Sequence, residues 1–395
     1  MSWTSPRVIR GNRGDIASRY FMLKAALAHG VVVSSVFATR ASHLPDVLHD
    51  RIVPYGWVYN AIPGLAGLRA LSRARHVIWT GGLDLQDDSS LVKLIHTSLV
   101  FLSYRLLGLR ILLAHQGAGP IQSPIGRWLA RRVLGCVRLA LVRDEGSARL
   151  LRGLMPPERV RFAADGIFLG ASPAPQPRHP LIEAGGRPVI GVNVRLWFHF
   201  TGSWVPYQLA GERYRKRAQA RMNELLAAFA AVVRHLRTAH DARVVLVSMY
   251  EPGIEPWEDD LGLLEQLKTA FPDDPEVAVL RDDLSIEALC GVFAGFDAMI
   301  GTRLHSTLIA LRMATPAIHV AYTLKGRDIY ADLGLSDWVV DIDSFMQDPG
   351  GAAALVDRVL SEGEGARARV SAIVEPLVAA NERALAAAIA EMEAG

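Results

Sequence analysis

Cysteine is almost missing from this chain. Cys136 and Cys290 are the only two in 395 residues, and each lies in an apolar stretch. That excludes a disulfide scaffold and a thiolate metal cluster, and it leaves two buried thiols suited to a reducing compartment. A dominant charge sign is missing too. Lys and Arg total 43 against 40 Asp and Glu, for a net charge of +3. So weak a bias does not point to nucleic acid, although it suits an anionic small molecule. There is no clean transmembrane run. The best candidate, Leu91 to Ala114, is interrupted by Lys93, His96, Arg105, Gly108 and Arg110, and it reads as an amphipathic helix followed by a strand. No segment near the N-terminus has signal-peptide order. The expectation is a cytoplasmic protein. What is present is a globular composition, 50% hydrophobic and 21% charged, over a length that suits two domains.

Strand-like apolar runs alternate with helical periodicity along most of the chain, the signature of a parallel sheet with helices on both faces. The rhythm breaks once. Ala171 to Pro188 carries Pro173, Pro175, Pro177, Pro180 and Pro188 and has no periodic face. The expected division is therefore an N-terminal domain over 1–170, a linker over 171–188 and a C-terminal domain over 189–395, with the Ala-rich terminal helices in the last.

The most informative stretch is Met299 to Leu335. A short buried strand ends at Gly301-Thr302 and presents Arg303 and His305. A helix over roughly Ser306 to Met313 stops before Pro316. A second buried strand, Ala317 to Tyr322, ends close to Lys325 and Arg327. Ligands of open parallel sheets bind at the carboxyl ends of strands and at helix N-termini. A guanidinium, an imidazole and an ammonium at two neighbouring strand ends read as a cradle for a small polyanion.

Other strand ends carry glycine loops. Gly11-Asn12-Arg13-Gly14-Asp15 leads into a helix that stops at Gly30. It is not GxGxxG, so a dinucleotide site is unsupported. It reads either as a turn with Asp15 as N-cap or as a loop whose glycines let a ligand approach. Gly81-Gly82-Leu83-Asp84 and Gln116-Gly117-Ala118-Gly119-Pro120 follow two more strands. Asp84, Asp87 and Asp88 read as solvated loop acids rather than metal ligands. Arg143 stands at a strand end before Ser147, with an intradomain salt bridge to Asp144 or Glu145 as its plainer reading. Arg195 ends the first strand of the second half. An aromatic loop follows with Trp197, Phe198, His199, Phe200, Trp204 and Tyr207, which reads equally as a sugar-stacking surface or a self-packed lid. The basic run Tyr214 to Arg221 opens a long helix.

Over nearly its whole length the chain resembles the polysaccharide pyruvyl transferase family. The resemblance rests on Gly11-Asn12-x-Gly14-Asp15, Gly81-Gly82, Gln116-Gly117-Ala118-Gly119-Pro120, Val142-Arg143-Asp144-x-x-Ser147 and, most specifically, Gly301-Thr302-Arg303-Leu304-His305-Ser306 with Pro316, Tyr322 and Lys325. Leu83 departs from it, standing where many members have a third glycine. The resemblance implies an α/β fold of two Rossmann-like domains facing a cleft, similar to the GT-B glycosyltransferase architecture. It implies transfer of the pyruvyl group of phosphoenolpyruvate onto sugar hydroxyls as a ketal, with release of phosphate. Arg143, His305 and Lys325 match the family's phosphoenolpyruvate-contacting residues, and Arg303 matches the basic residue before the histidine. Asn12, Asp15, Gly117, Arg195, Trp197 and His199 are candidates for the acceptor side.

The residue chemistry agrees with that implication. A phosphate and a carboxylate together call for several cations, and proton transfer to the donor's methylene carbon suits a histidine. His305 is accordingly expected to be catalytic. No cofactor, metal or nucleic acid is expected; the partners are phosphoenolpyruvate and a sugar acceptor, lipid-linked or nucleotide-linked. A lipid-linked acceptor makes Tyr214 to Arg221 a membrane-facing strip at the inner face of the membrane. The competing reading is a GT-B-type glycosyltransferase that uses a nucleotide sugar.

Overall fold

The structure, a computed structural model, describes residues 2–53, 65–81, 85–87, 91–173, 175–197, 212–254 and 258–394. The chain forms two compact units. The first comprises Met1–Arg10, Asp15–Ala171 and Pro376–Gly395, and the second comprises Gly11–Gly14 and Ser172–Glu375.

In the first half the strands are β1 (Ser2–Ser5), β2 (Val32–Phe37), β3 (Ile52–Val53), β4 (His76–Thr80), β5 (Arg110–Gln116), β6 (Val137–Val142) and β7 (Val160–Phe162). Between them run α1 (Arg13–Ala28), α2 (Leu65–Ser72), α3 (Leu91–Leu106), α4 (Pro124–Leu134) and α5 (Glu145–Arg152). The second half has β8 (Val189–Asn193), β9 (Arg243–Val247), β10 (Val277–Leu280), β11 (Ala298–Gly301), β12 (Ala317–Ala321) and β13 (Val339–Asp341). Its helices are α6 (Glu212–His240), α7 (Asp260–Lys268), α8 (Ile286–Ala294), α9 (Leu304–Arg312), α10 (Leu324–Asp332), α11 (Ile342–Gln347), α12 (Pro349–Glu362) and α13 (Glu364–Ala394).

The first sheet has seven strands in the order β3-β2-β1-β4-β5-β6-β7, and the second has six in the order β10-β9-β8-β11-β12-β13. Pairings in both are parallel, for example β4 on β5 from His76–Arg110 to Thr80–Ala114, and β8 on β9 and β11. Each order reverses once, between β1 and β4 and between β8 and β11. These are the topological switch points of doubly wound sheets, where ligands bind at the carboxyl ends of strands. The central strands are almost wholly apolar because helices cover both faces: Ile111, Leu112, Leu113 and Ala114, or Val244 to Val247, are at most 1% exposed. The two-Rossmann, α/β expectation is met.

Several local expectations are corrected. The Ser2–Ser5 strand was not anticipated, because Ser-Trp-Thr-Ser lacks an apolar run; its Thr4 hydroxyl satisfies itself on Ser35, 2.7 Å away. Asp15 lies inside the first turn of α1 and is not its N-cap; Asn12 precedes the helix and its Oδ1 accepts from the Gly14 N–H at 3.0 Å. Residues 11–14 group with the second unit. Residues 376–394 group with the first, so 189–395 is not one body and α13 contributes to both units. The proline-rich linker is seated on the second unit: Gln176 and Ile182 lie against the bare Cα faces of Gly291 and Gly295 on and beside α8. Asp87 is no solvated acid. It accepts from the Gln122 and Ser123 amides at 2.8 Å each and from the Ser123 hydroxyl at 2.6 Å, which holds its carboxyl below the usual range despite burial. Gly82, Leu83, Asp84, Asp88, Phe198, His199, Phe200, Trp204 and Tyr207 lie outside the described residues.

Candidate functional site

In the second unit the switch point is organised by Asn193, the last residue of β8. Its Nδ2 donates to the Val247 carbonyl of β9 at 2.9 Å, and its Oδ1 accepts from the Arg303 amide after β11 at 3.0 Å. One buried amide therefore ties three strand ends together. Gly301 is bare because Asn193 Cβ and Ser306 Oγ close on it; an added Cβ would lie 3.2 and 2.7 Å from them. Thr302 continues the join, its Oγ1 accepting from the Arg195 amide at 2.7 Å.

Arg303 and Arg195 leave these strand ends side by side, and each is met by acid. Arg303 is 4% exposed. It grips Asp260 in two-point fashion, Nε to Oδ2 at 2.6 Å and Nη2 to Oδ1 at 2.8 Å, and reaches Glu258 Oε2 at 2.7 Å. Arg195 donates to Glu258 Oε1 at 2.9 Å and to the Tyr322 hydroxyl. Its guanidinium carbon lies 5.3 Å from the Tyr322 ring centre and 5.6 Å from that of Trp197, and those rings are 4.2 Å apart. Burial works against the Arg303 charge, but Asp260 and Glu258 overcome it and push the pKa up. Burial also opposes the Glu258 charge, and the two arginines outweigh it and hold the carboxyl down. The cluster is a buried network of two arginines and two carboxyls, in which burial raises the Asp260 pKa against the pull of Arg303. This corrects the picture of Arg303 as a charge offered to an anion: it is already neutralised. Glu258 and Asp260 were missed because nothing in Glu258-Asp259-Asp260 distinguishes a buried acid from a solvated one.

His305 and Lys325 are both half-buried, and both sit in the first turn of a helix, α9 and α10 respectively. Helix α9 starts two residues before the expected Ser306, which brings His305 into that first turn. Lys325 likewise belongs to α10 rather than to a loop after β12. Helices α4, α5, α7, α8, α11 and α12 begin on Ser123, Asp144, Asp259, Ser285, Asp341 and Asp348, each of which accepts a backbone N–H through its side chain. Arg303 and Thr323, at the starts of α9 and α10, make no such side-chain cap. First-turn N–H groups and the positive end of the helix dipole then favour an anion. β11 and β12 are neighbours in the sheet, so the two uncapped helices start from adjacent strand ends. His319 locks the second one in place. Its Nδ1 faces the Gly301 carbonyl at 3.3 Å, its ring stacks on Tyr330, and Gly326 lies bare against Nε2. Burial drives its pKa down to about 4.

The Gly11–Gly14 loop completes this group. Tyr250 bridges to Asn12, the Arg13 amide donates to the Met249 carbonyl at 2.9 Å, and the Glu251 amide donates to the Gly11 carbonyl at 2.8 Å. Glu251 returns through its carboxylate to the Gly11 N–H at 2.7 Å. Of the two readings, a turn or a loop open to a ligand, the close approach seen here is by side chains of the protein: a Cβ on Gly11 would lie 2.4 Å from Tyr250, and one on Gly14 would lie 2.2 Å from His305 Cβ and 2.4 Å from Nδ1. The loop and the histidine were found separately in the sequence, and their contact was not.

The first unit treats its strand ends differently. Arg143, after β6, is 8% exposed and donates through Nη1 to Asp165 at 2.8 Å. Its ion pair is thus with Asp165, not with Asp144 or Glu145. Asp144 caps α5 on the Ser147 amide and hydroxyl at 2.6 and 2.7 Å. Burial opposes the Arg143 charge, and Asp165 with Asp15 and Asp144 raises its pKa regardless. The loop holding Gly117 is fastened on both sides. Gln116 Nε2 donates to the Gly81 carbonyl at 3.0 Å, and the Ala118 amide donates to Ser147 Oγ at 2.8 Å. These bonds hold Gln116, Ser147 and the two glycine loops together as one constellation.

His235 and His240 both bond Asp357 through Nε2, at 2.9 and 2.7 Å, tying α6 to α12. They are the one group among the described residues whose atoms are spaced to hold a metal ion.

Comparison with known proteins follows the same lines. A putative UDP-N-acetylglucosamine 2-epimerase from Listeria monocytogenes has a similar structure, with a TM-score of 0.60 and 13% identity over 100% of this chain and 97% of that one. Anabaena Alr3699/HepE, solved in complex with UDP and glucose, gives 0.57 and 11% over 100% and 99%. The trehalose-6-phosphate synthase OtsA gives 0.57 and 12% over 99% and 98%. At such identities these similarities establish the fold, which is GT-B-like. The amylovoran biosynthesis protein AmsJ of Erwinia amylovora is 26% identical over 258 residues, 65% of this chain, and the match spans 59% of the length of AmsJ. The sequence profile of the polysaccharide pyruvyl transferases matches residues 24–323, and on that match the chain belongs to the polysaccharide pyruvyl transferase family.

Proposed function

We propose that the chain transfers the pyruvyl group of phosphoenolpyruvate onto two hydroxyls of a sugar in an exopolysaccharide precursor, forming a ketal and releasing phosphate. The observation that carries this reading is the pair of uncapped helix starts, α9 and α10, at adjacent strand ends with His305 and Lys325 in their first turns. Two anionic groups on one small molecule, a phosphate and a carboxylate, suit two helix N-termini and an ammonium.

In the proposed chemistry a proton from His305 goes to C3 of the donor, and C2 becomes an oxocarbenium-like electrophile. One sugar hydroxyl adds to C2, the C2–O bond to phosphate breaks, and the second hydroxyl closes the ring. Of the two hydroxyl protons, one balances that given to C3 and the other leaves with phosphate. His305 is suited to this traffic as a general acid and base. Arg303 acts by position: its network with Asp260 and Glu258 fixes the backbone from which His305 projects. Arg195 and Trp197 are included in the proposal as acceptor contacts. The scheme balances without metal or cofactor.

Calorimetric titration with phosphoenolpyruvate, paired with a phosphate-release assay on sugar acceptors, tests the reading. The wild type is expected to bind the donor. Lys325→Ala should weaken that binding, and His305→Ala should lower turnover on the order of 10²–10⁴-fold while changing binding less. Turnover should survive chelator treatment. No binding of phosphoenolpyruvate, with candidate acceptors also present, would sink the proposal in favour of a transferase that uses nucleotide sugars.

A further inference from the structure

Helix α3 is apolar on both of its faces. Leu94, Val100, Phe101 and Tyr104 are at most 4% exposed and pack into the core of the first unit. Yet Ile95, Leu99, Leu102 and Leu106 are 41%, 62%, 48% and 79% exposed. Their spacing of four, three and four residues places them within an arc of about 60° on the outer surface. Helix α4 packs beside α3, with Arg105 of the last turn of α3 donating to the Gly135 carbonyl at the end of α4 at 2.8 Å. It adds Ile125 at 60% exposure and Trp128 at 55%. More than half of the large apolar side chains exposed among the described residues are gathered on these two helices and the residue after α3. Single exposed hydrophobics need no explanation, but a contiguous patch does. The amphipathic helix expected from the sequence has an apolar outer face, and a helix that is hydrophobic all round is ordinarily covered.

The charge around the patch says by what. From Ser89 to Arg143 the chain carries no aspartate or glutamate. Arg105, Arg127, Arg131, Arg132 and Arg138 are exposed on or beside the two helices. Arg132 lies over the Trp128 ring, 5.1 Å from its centre, the pairing of an interfacial aromatic with a side chain able to snorkel to charged headgroups. A second copy of the chain meeting the same face would set these arginines against one another. No helix among the described residues is long and apolar enough to cross a membrane. At 16 residues, α3 reaches only about 24 Å.

We infer that the α3–α4 face is a docking surface for an anionic phospholipid bilayer, on which α3 lies in the plane of the interface with its outer leucines inserted. The inference does not depend on the donor or on the reaction. It also moves the expected membrane contact away from Tyr214 to Arg221, a run without exposed large apolar side chains.

Vesicle co-sedimentation of the full chain tests it, with phosphatidylcholine vesicles alone or mixed with phosphatidylglycerol. The wild type should partition onto the mixed vesicles at least about tenfold better than onto the neutral ones. Trp128 emission should shift to the blue on binding. Leu99→Glu with Leu102→Glu should abolish partitioning, and Arg131→Glu with Arg132→Glu should lower it by about tenfold or more on the anionic vesicles. Charge reversal at Arg215, Lys216 and Arg217 should leave it unchanged. Leu99→Ser with Leu106→Ser, a milder pair, should weaken it in the same direction, and circular dichroism checks that each variant is folded. Failure of the wild type to partition onto either vesicle overturns the inference, as does undiminished partitioning of the Leu99/Leu102 variant. A dimer in sedimentation equilibrium that the same variant dissolves would also overturn it, assigning the face to a second copy.

Discussion

The two sheets share a strand order up to the extra β7, yet their strand ends are finished in opposite ways. In the first unit the polar groups after β5 and β6 are consumed by the fold itself. His115 bonds the Ala164 carbonyl at 2.6 Å, Gln116 holds Gly81, Ser147 holds Ala118, Asp144 caps α5 and Arg143 pairs with Asp165. In the second unit the arginines are likewise neutralised, but the helices leaving β11 and β12 start without a capping side chain. The contrast teaches where an anion is best received. It is not where arginines are most numerous, since buried arginines bring their own carboxylates. It is where backbone donors at a helix start face no acceptor of their own side chains.

The sharpest way to break that contrast is through Gly14. Gly14→Ala puts a methyl into the space held by His305. Under the proposed chemistry a displaced His305 costs rate out of proportion to stability, so turnover should fall by about 10²-fold. Gly30, with φ at +80° and open space around the added atom, is the control; Gly30→Ala should leave turnover intact. Steady-state phosphate release on the two variants decides it.

Next in size is the ion network. Asp260→Asn leaves Arg303 buried with half its acid removed and should cost about 3–5 kcal/mol in urea denaturation. By contrast, Ser147→Ala in the first unit loses hydrogen bonds without stranding a charge, and should cost about 1–2 kcal/mol. Equal losses would show that the two kinds of strand end are energetically alike.

A third test is a pH dependence. The pKa of His319 is depressed to about 4 by burial, so the unfolded chain binds its proton first as pH falls. The stabilising contribution of neutral His319 is whole above about pH 6.5 and is lost progressively down to about pH 4, up to roughly 3 kcal/mol. Thermal melts should decline over that window, and His319→Gln should flatten the decline. An unchanged slope would show that acid sensitivity arises elsewhere.

The legible part of the sequence was what depends on local pattern. Buried parallel strands such as Ile111 to Ala114 are nearly pure hydrophobic runs, so they declared themselves, whereas β1 did not, because Ser-Trp-Thr-Ser has no apolar run and its Thr4 hydroxyl is buried only through its bond to Ser35 of β2. The glycine loops were visible as motifs, but their purpose stayed open: a bare Cα announces a close approach without saying to what. Gly14 makes room for His305, 291 residues further along the chain. Arg303 was correctly singled out as unusual and wrongly taken as available, because charge in a sequence carries no record of its counter-charge.

What the sequence determined by itself is the doubly wound architecture and the break near residue 171, since periodicity and proline content are properties of neighbours along the chain. Only the tertiary structure decided that Asp260 and Glu258 neutralise Arg303, that α9 and α10 start uncapped on adjacent strands, that residues 376–394 belong with the first unit and that the outer face of α3 is left apolar and open. Each of these depends on which groups long-range folding brings within a few ångströms, and no local pattern encodes that distance.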